Sequence, residues 1–361
     1  MLRYVVSALA LLPVAALAES VTLPNVLHDG PITPDGISAK GHIDWPKLLP
    51  GVNATSYDWW YFDVVSADAK ASATVVFYNS GPNGFINTFL GGPLSASLIG
   101  VLPNGTVYDI SVPATSAIIS RSDDSSATSA VYTDSGFSFN GTSTSTHHGK
   151  AAQRYVVTID APELGVTGTL TLDSLAPAHY PCGPDSSPGQ TELLFPHVWW
   201  SNAVPDAAGE VDLLINGTEV KFDGVGYHDK NWGDTPFVTT TSTWYWGHAR
   251  LGPYSIVWFD AFDSAGVEHY SGYVAKDGKV LLGSCAQDAV VVRPWGINGE
   301  FPPKIGTGVP QGLEVVFDLG YGKTFWANRT LGTVTGGLGG GGCDGRTYQG
   351  ASLFEEFKLT Q

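Results

Sequence analysis

Apolar positions along this chain come in short bursts rather than in helical stripes. The stretches 73–78, 155–159, 166–172, 255–260 and 313–317 are rich in Val, Thr, Tyr, Phe and Trp and are bounded by turn residues, which is strand composition. Between residues 19 and 346 no apolar series at helical spacing is long enough for a three-turn amphipathic helix. Asn104-Gly105, Asn216-Gly217 and Asp277-Gly278 each separate two such bursts and predict hairpins with type I′ turns. The pattern predicts an all-β fold. Polar, Pro- and Gly-rich intervals at 176–190 and 203–209 predict two antiparallel β domains, 19–206 and 207–361, each a barrel or a sandwich. The Gly-rich run 336–342 predicts a loop, and 353–358 a strand or one helical turn.

Residues 1–18 read differently. Arg3 precedes an apolar run from Tyr4 to Leu17, broken by Ser7 and Pro13, and Ala16-Leu17-Ala18 closes it. That is a signal peptide with cleavage expected after Ala18, too short to span a bilayer, so the chain is expected to be secreted. Sequons at Asn53, Asn104, Asn140, Asn216 and Asn328 predict N-glycans on exposed turns. Cys182, Cys285 and Cys343 leave one thiol over after any single disulfide, so the core holds itself without a cystine framework. The formal charge of −16 argues against nucleic acid or an anionic membrane as partner and favours a neutral small molecule.

The candidate chemistry is aromatic. Eight of the 11 tryptophans fall in clusters: Trp59-Trp60, Trp199-Trp200, and Trp232, Trp244, Trp246 and Trp258. Adjacent strand residues face opposite sides, so each Trp-Trp pair sends its rings to two faces. In the segment 56–63, Tyr57, Trp59 and Tyr61 then oppose Asp58, Trp60 and Phe62, and both faces must be covered. A buried carboxylate such as Asp58 must be bonded or functional. The stretch 224–234 sets Tyr227, His228, Asp229, Lys230, Asn231 and Trp232 side by side between glycines. It suits a proton donor aimed at a ligand oxygen, and alternation adds Trp244, Trp246 and His248 on one face. Neither zinc spacing nor a Gly-x-Ser-x-Gly elbow occurs, and no metal or cofactor is expected.

The segments 57–63, 226–233 and 244–249, with Tyr348-Gln349-Gly350 ahead of Phe354-Glu355, resemble the hydroxyneurosporene synthase-like superfamily of lipocalin-related carotenoid hydratases, and its fungal Diels–Alderase branch in particular. The resemblance implies a sandwich-like N-terminal domain, a lipocalin-like C-terminal barrel, and a ligand held between or within them. It is most similar to hetero-Diels–Alderases that join a tropolone-type quinone methide to a sesquiterpene such as humulene. This implies a cofactor-free pericyclase, which needs only posing, water exclusion and a donor to the acceptor's oxygen. The expected catalytic residues are His228, Asn231, Tyr245, His248 and Asp58. Trp59, Trp60, Tyr61, Trp199, Trp200, Trp232, Trp244, Trp246 and Trp258 are expected to bind polyketide or terpenoid substrates. A hydratase or isomerase of an apolar alkene, or a lipocalin-like binder without turnover, are the alternatives.

Overall fold

The computed structural model describes residues 19–359 apart from 40–42, 87, 125, 148–149, 186, 331 and 341–344. The expected signal peptide at 1–18 and Cys343 lie outside the described residues. Strands dominate, as the short apolar bursts predict, and among the described residues the only α-helix is the single turn Phe237–Thr240.

Two antiparallel sheets make up the molecule. The first runs, in spatial order, Glu19–Pro24, Ser116–Arg121, Ala127–Thr133, Phe137–His147, Lys150–Ala161, Val166–Ser174, Val198–Ile215, Thr218–Gly233, Tyr57–Ser66, Ser72–Ser80, Leu94–Val101 and Val107–Pro113. It wraps around a core that includes Phe62, Phe77, Phe139, Tyr155 and Ile119. The second runs Lys279–Ser284, Glu268–Lys276, Tyr254–Asp263, Thr241–Leu251, Thr347–Lys358, Thr333–Gly340, Lys323–Thr330, Gly312–Gly320 and Val290–Trp295. It curls around Tyr254, Ile256, Trp258, Val292, Phe317 and Phe325. A third apolar layer lies between the sheets and contains Trp59, Tyr61, Trp200, Tyr227, Trp244, Trp246 and Phe259.

Period-two alternation accounts for this layering. In Tyr57–Ser66 every residue is buried. Trp60, Phe62 and Val64 enter the first core, while Tyr57, Trp59 and Tyr61 enter the layer between the sheets. Asn216-Gly217 and Asp277-Gly278 are type I′ turns with φ of 49°, 79°, 47° and 70°, whereas in the longer Val101-to-Val107 connection only Gly105 is left-handed.

The structure departs from the sequence expectations at several points. The expected boundary at 206/207 falls inside Val198–Ile215, and the sheets part later, between Gly233 and Thr241. The polar interval 203–209 is a strand whose register shifts between Asn202 and Ala207, not a linker. Its Asp206 accepts hydrogen bonds from Arg250 Nε at 3.0 Å and Ser255 Oγ at 2.6 Å, so the polar side chains fasten one sheet to the other. The glycines from 336 to 340 belong to the strand Thr333–Gly340 rather than to a loop, and 353–358 is strand. Of the sequons, Asn104, Asn140, Asn216 and Asn328 are exposed, but Asn140 and Asn328 stand on strands rather than turns. Asn53 is half-buried and donates to the Gly30 carbonyl at 3.3 Å. Cys182 and Cys285 form a disulfide that closes a separation of 103 residues and ties the segment before Val198–Ile215 to the second sheet.

Candidate active site

Strand pairing decides which of the expected residues meet. Thr218–Gly233 lies against Tyr57–Ser66 with Asp229 opposite Tyr61 and Asn231 opposite Trp59. Opposed residues share a face. Asp229 and Asn231 therefore join the rings of Trp59 and Tyr61 between the sheets, and His228, opposite Phe62, turns the other way.

The space they border is a cavity of about 390 Å³. The first sheet contributes Trp59, Tyr61, Val76 and Tyr78, the second Trp244, Trp246, Leu353 and Phe357, and the connection between Ser72–Ser80 and Leu94–Val101 adds Phe85 and Ile86. The rings meet mostly edge to face, as at Tyr61 and Trp246, 5.3 Å apart at 79°, so the walls present both ring faces and edges.

Two carboxyl groups break this apolar lining, Asp229 and Glu355. Asp229 Oδ2 accepts from Trp200 Nε1 at 2.7 Å and from the Tyr227 hydroxyl at 2.8 Å, and Oδ1 accepts from Asn231 Nδ2 at 3.2 Å. Burial pushes the Asp229 carboxyl up to about 7, against the pull of the Trp200 and Tyr227 donors. Glu355 is pushed up to about 8, first by burial and then by the negative charges of Asp229 and Asp63. An aromatic cavity holding two carboxyl groups raised toward neutral pH, the one with three donors being the readier to ionise, can supply a proton to a bound ligand.

Of the expected catalytic residues, only Asn231 lines the cavity. His228 is a core residue: its Nδ1 meets the Tyr61 carbonyl and its Nε2 Asp44, both at 2.9 Å, and its ring stacks on Phe62 at 3.8 Å. Asp58 is paired with Lys230 and accepts from the Lys47 amide at 2.9 Å, with Lys230 Nζ 3.3 Å from the Trp60 ring centre. Tyr245 lies in the second sheet's core, beside Phe301. His248 stands behind the lining, its ring 4.6 Å from that of Tyr227 and its Nε2 3.0 Å from both Asp63 oxygens.

Among the expected binding residues, Trp59, Tyr61, Trp244 and Trp246 form walls. Trp60 and Trp258 fill the two cores, and Trp199 and Trp232 pack with Leu48 and Val52 at the side. Trp200 sits behind the wall, where it holds Asp229. Asp229 and Glu355 are not among the site residues expected from the sequence, although both lie in the segments 226–233 and Phe354-Glu355 that carry the resemblance. Opposition to Tyr61 singles out Asp229, and the pairing of Trp246 with Glu355 across Thr241–Leu251 and Thr347–Lys358 singles out Glu355.

Antiparallel sheets bordering an acid-bearing aromatic cavity are the setting of an enzyme that acts on a small apolar molecule. The Diels-Alderase-like family model matches residues 20–292, and the chain belongs to that enzyme family. It is 39% identical to the quinolone epoxide rearrangement protein penF of Penicillium thymicola, over 95% of this chain and 96% of the relative. It is 38% identical to the quinolone epoxide rearrangement protein asqO of Emericella nidulans, over 96% of each. The crystal structure of CghA shares the fold, with a TM-score of 0.72 at 18% identity, covering 95% of this chain and 98% of that one.

Proposed function

We propose that this enzyme rearranges a single, largely flat and apolar substrate, with Glu355 as proton donor and Asp229 as its anionic counterpart. The observation that carries this reading is the pair of carboxyl groups in an aromatic cavity, of which Asp229 accepts three hydrogen bonds. The names of the relatives penF and asqO support a quinolone-type epoxide as the substrate. Glu355 would give its proton to the epoxide oxygen as the carbon–oxygen bond breaks. The cation left on carbon would face the Asp229 carboxylate and the surrounding ring faces. Migration or attack within the same molecule ends the cation, and the proton released returns to Glu355. Exclusion of water keeps the epoxide from opening to a diol.

A cavity of about 390 Å³ is near the lower end of ligand pockets and suits one drug-sized molecule. That favours an intramolecular reaction over the joining of a tropolone-type quinone methide to a sesquiterpene. The aromatic walls equally suit an intramolecular cycloaddition, which is the second reading. Incubation with an aryl epoxide carried on a quinolone, in water enriched in heavy oxygen, tests the first. The expected product is an isomer of the epoxide without solvent oxygen, formed well above the rate without protein. A background rate, or a labelled diol, removes the proposal. The leader-like residues 1–18 and the exposed sequons support export with N-glycans. A mass shift on glycosidase treatment checks this.

A further inference from the structure

We infer that Asn231 reads a hydrogen-bond donor on the substrate, the N–H of a secondary lactam, and so selects lactams over their oxygen isosteres; this rests on the single-substrate reading above. Asn231 is 3% exposed and lines the cavity. Its amide orientation is fixed by Asp229, whose Oδ2 is occupied by two donors and whose Oδ1 receives Asn231 Nδ2. The Asn231 Oδ1 is thereby left buried without a partner among the described residues. A buried amide carbonyl without a protein partner is costly to leave unpaired, and a ligand donor that reaches it satisfies it.

A second orphan belongs to the opposite sheet. Trp244, 2% exposed, also lines the cavity, and its Nε1 has no acceptor among the described residues. One group lacks a donor and the other lacks an acceptor. A lactam carries both a donor N–H and an acceptor C=O. A carboxylate ligand supplies no donor and is repelled by Asp229, and an ether or lactone supplies acceptors only.

The test uses two probes of equal shape: a phenyl-substituted quinolinone with a free ring N–H, and the corresponding phenylcoumarin, in which oxygen replaces the N–H. Binding is read by quenching of the tryptophans in the cavity wall. The lactam is expected to bind about 10- to 100-fold more tightly than the lactone. In Asn231→Ala the two are expected to bind within a few-fold of each other. Equal binding by the native protein overturns the inference, as does the absence of quenching by the lactam up to its solubility limit. If Asn231→Ala does not fold, the native protein's ratio decides alone. Epoxide turnover is scored separately. Equal rearrangement of lactam and lactone epoxides overturns the selectivity and leaves the acid reading standing, whereas failure of both epoxides to react removes the acid reading whatever the probes do.

Discussion

Glu355 and Asp229 differ in how many hydrogen bonds are offered to them. Three donors point at Asp229, and among the described residues none points at Glu355. Donors favour the anion, so Asp229 is the better carboxylate and Glu355 the better acid. Glu355→Gln should lower turnover at least about 100-fold while leaving ligand quenching within a few-fold, as measured by single-turnover and binding assays. The rate should rise as pH passes about 7, where the Asp229 end ionises, and fall above about 8, where the Glu355 proton is lost. Those limbs belong to the coupled pair. The same shift sets the stability profile. Folded Glu355 keeps a proton that the unfolded chain gives up at the ordinary value of 4.5, so stability falls as pH climbs from there through about 8. Glu355→Gln should remove that slope, and its melting temperature should gain on the parent's at pH 8 but not at pH 4. His228 carries the opposite lesson. His228→Ala leaves Asp44 buried with only the Tyr155 hydroxyl, at 2.6 Å, among its side-chain partners. It should cost about 3 kcal/mol in urea unfolding while activity per folded molecule is kept.

Strands were legible from the sequence where apolar bursts end in turn residues, and the two-faced burial of Tyr57–Ser66 follows from alternation alone. Register was not. Alternation sorts 227–232 into two sets but leaves open which set meets the core, and a one-residue step exchanges them. That step separates a catalytic His228 from a structural one. It also explains why a chemically loaded stretch misleads: Lys230 and His228 satisfy buried acids, while the less conspicuous Asp229 and Asn231 face the ligand. Gly247 shows how tightly the wall strand is held. Its neighbours Trp246 and His248 face the layer between the sheets, and a Cβ at 247 would collide with the Trp258 ring and crowd the Leu353 carbonyl. Gly247→Ala should cost about 1–3 kcal/mol in thermal unfolding and raise KM, because the strand carrying Trp244 and Trp246 must move.

The composition and spacing of the whole chain made two β units legible, and the resemblance added a ligand between or within them. The junction was misplaced because polar residues at 203–209 look like a linker, whereas they serve contacts between the sheets through Asp206 and Arg250. The Cys182–Cys285 disulfide is a second tie between the same two bodies. Cys182→Ala with Cys285→Ala should lose about 2–5 kcal/mol, since a long loop is released in the unfolded chain. Both sheets form the cavity, so quenching by the bound probe should also weaken in this variant.

Every wall residue except Phe85 and Ile86 sits on a hydrogen-bonded strand. Acids and most ring walls are thus anchored to the scaffold, whereas Phe85 and Ile86 can change side chain without unpicking a ladder. Divergence among relatives in what they accept should concentrate at these two positions.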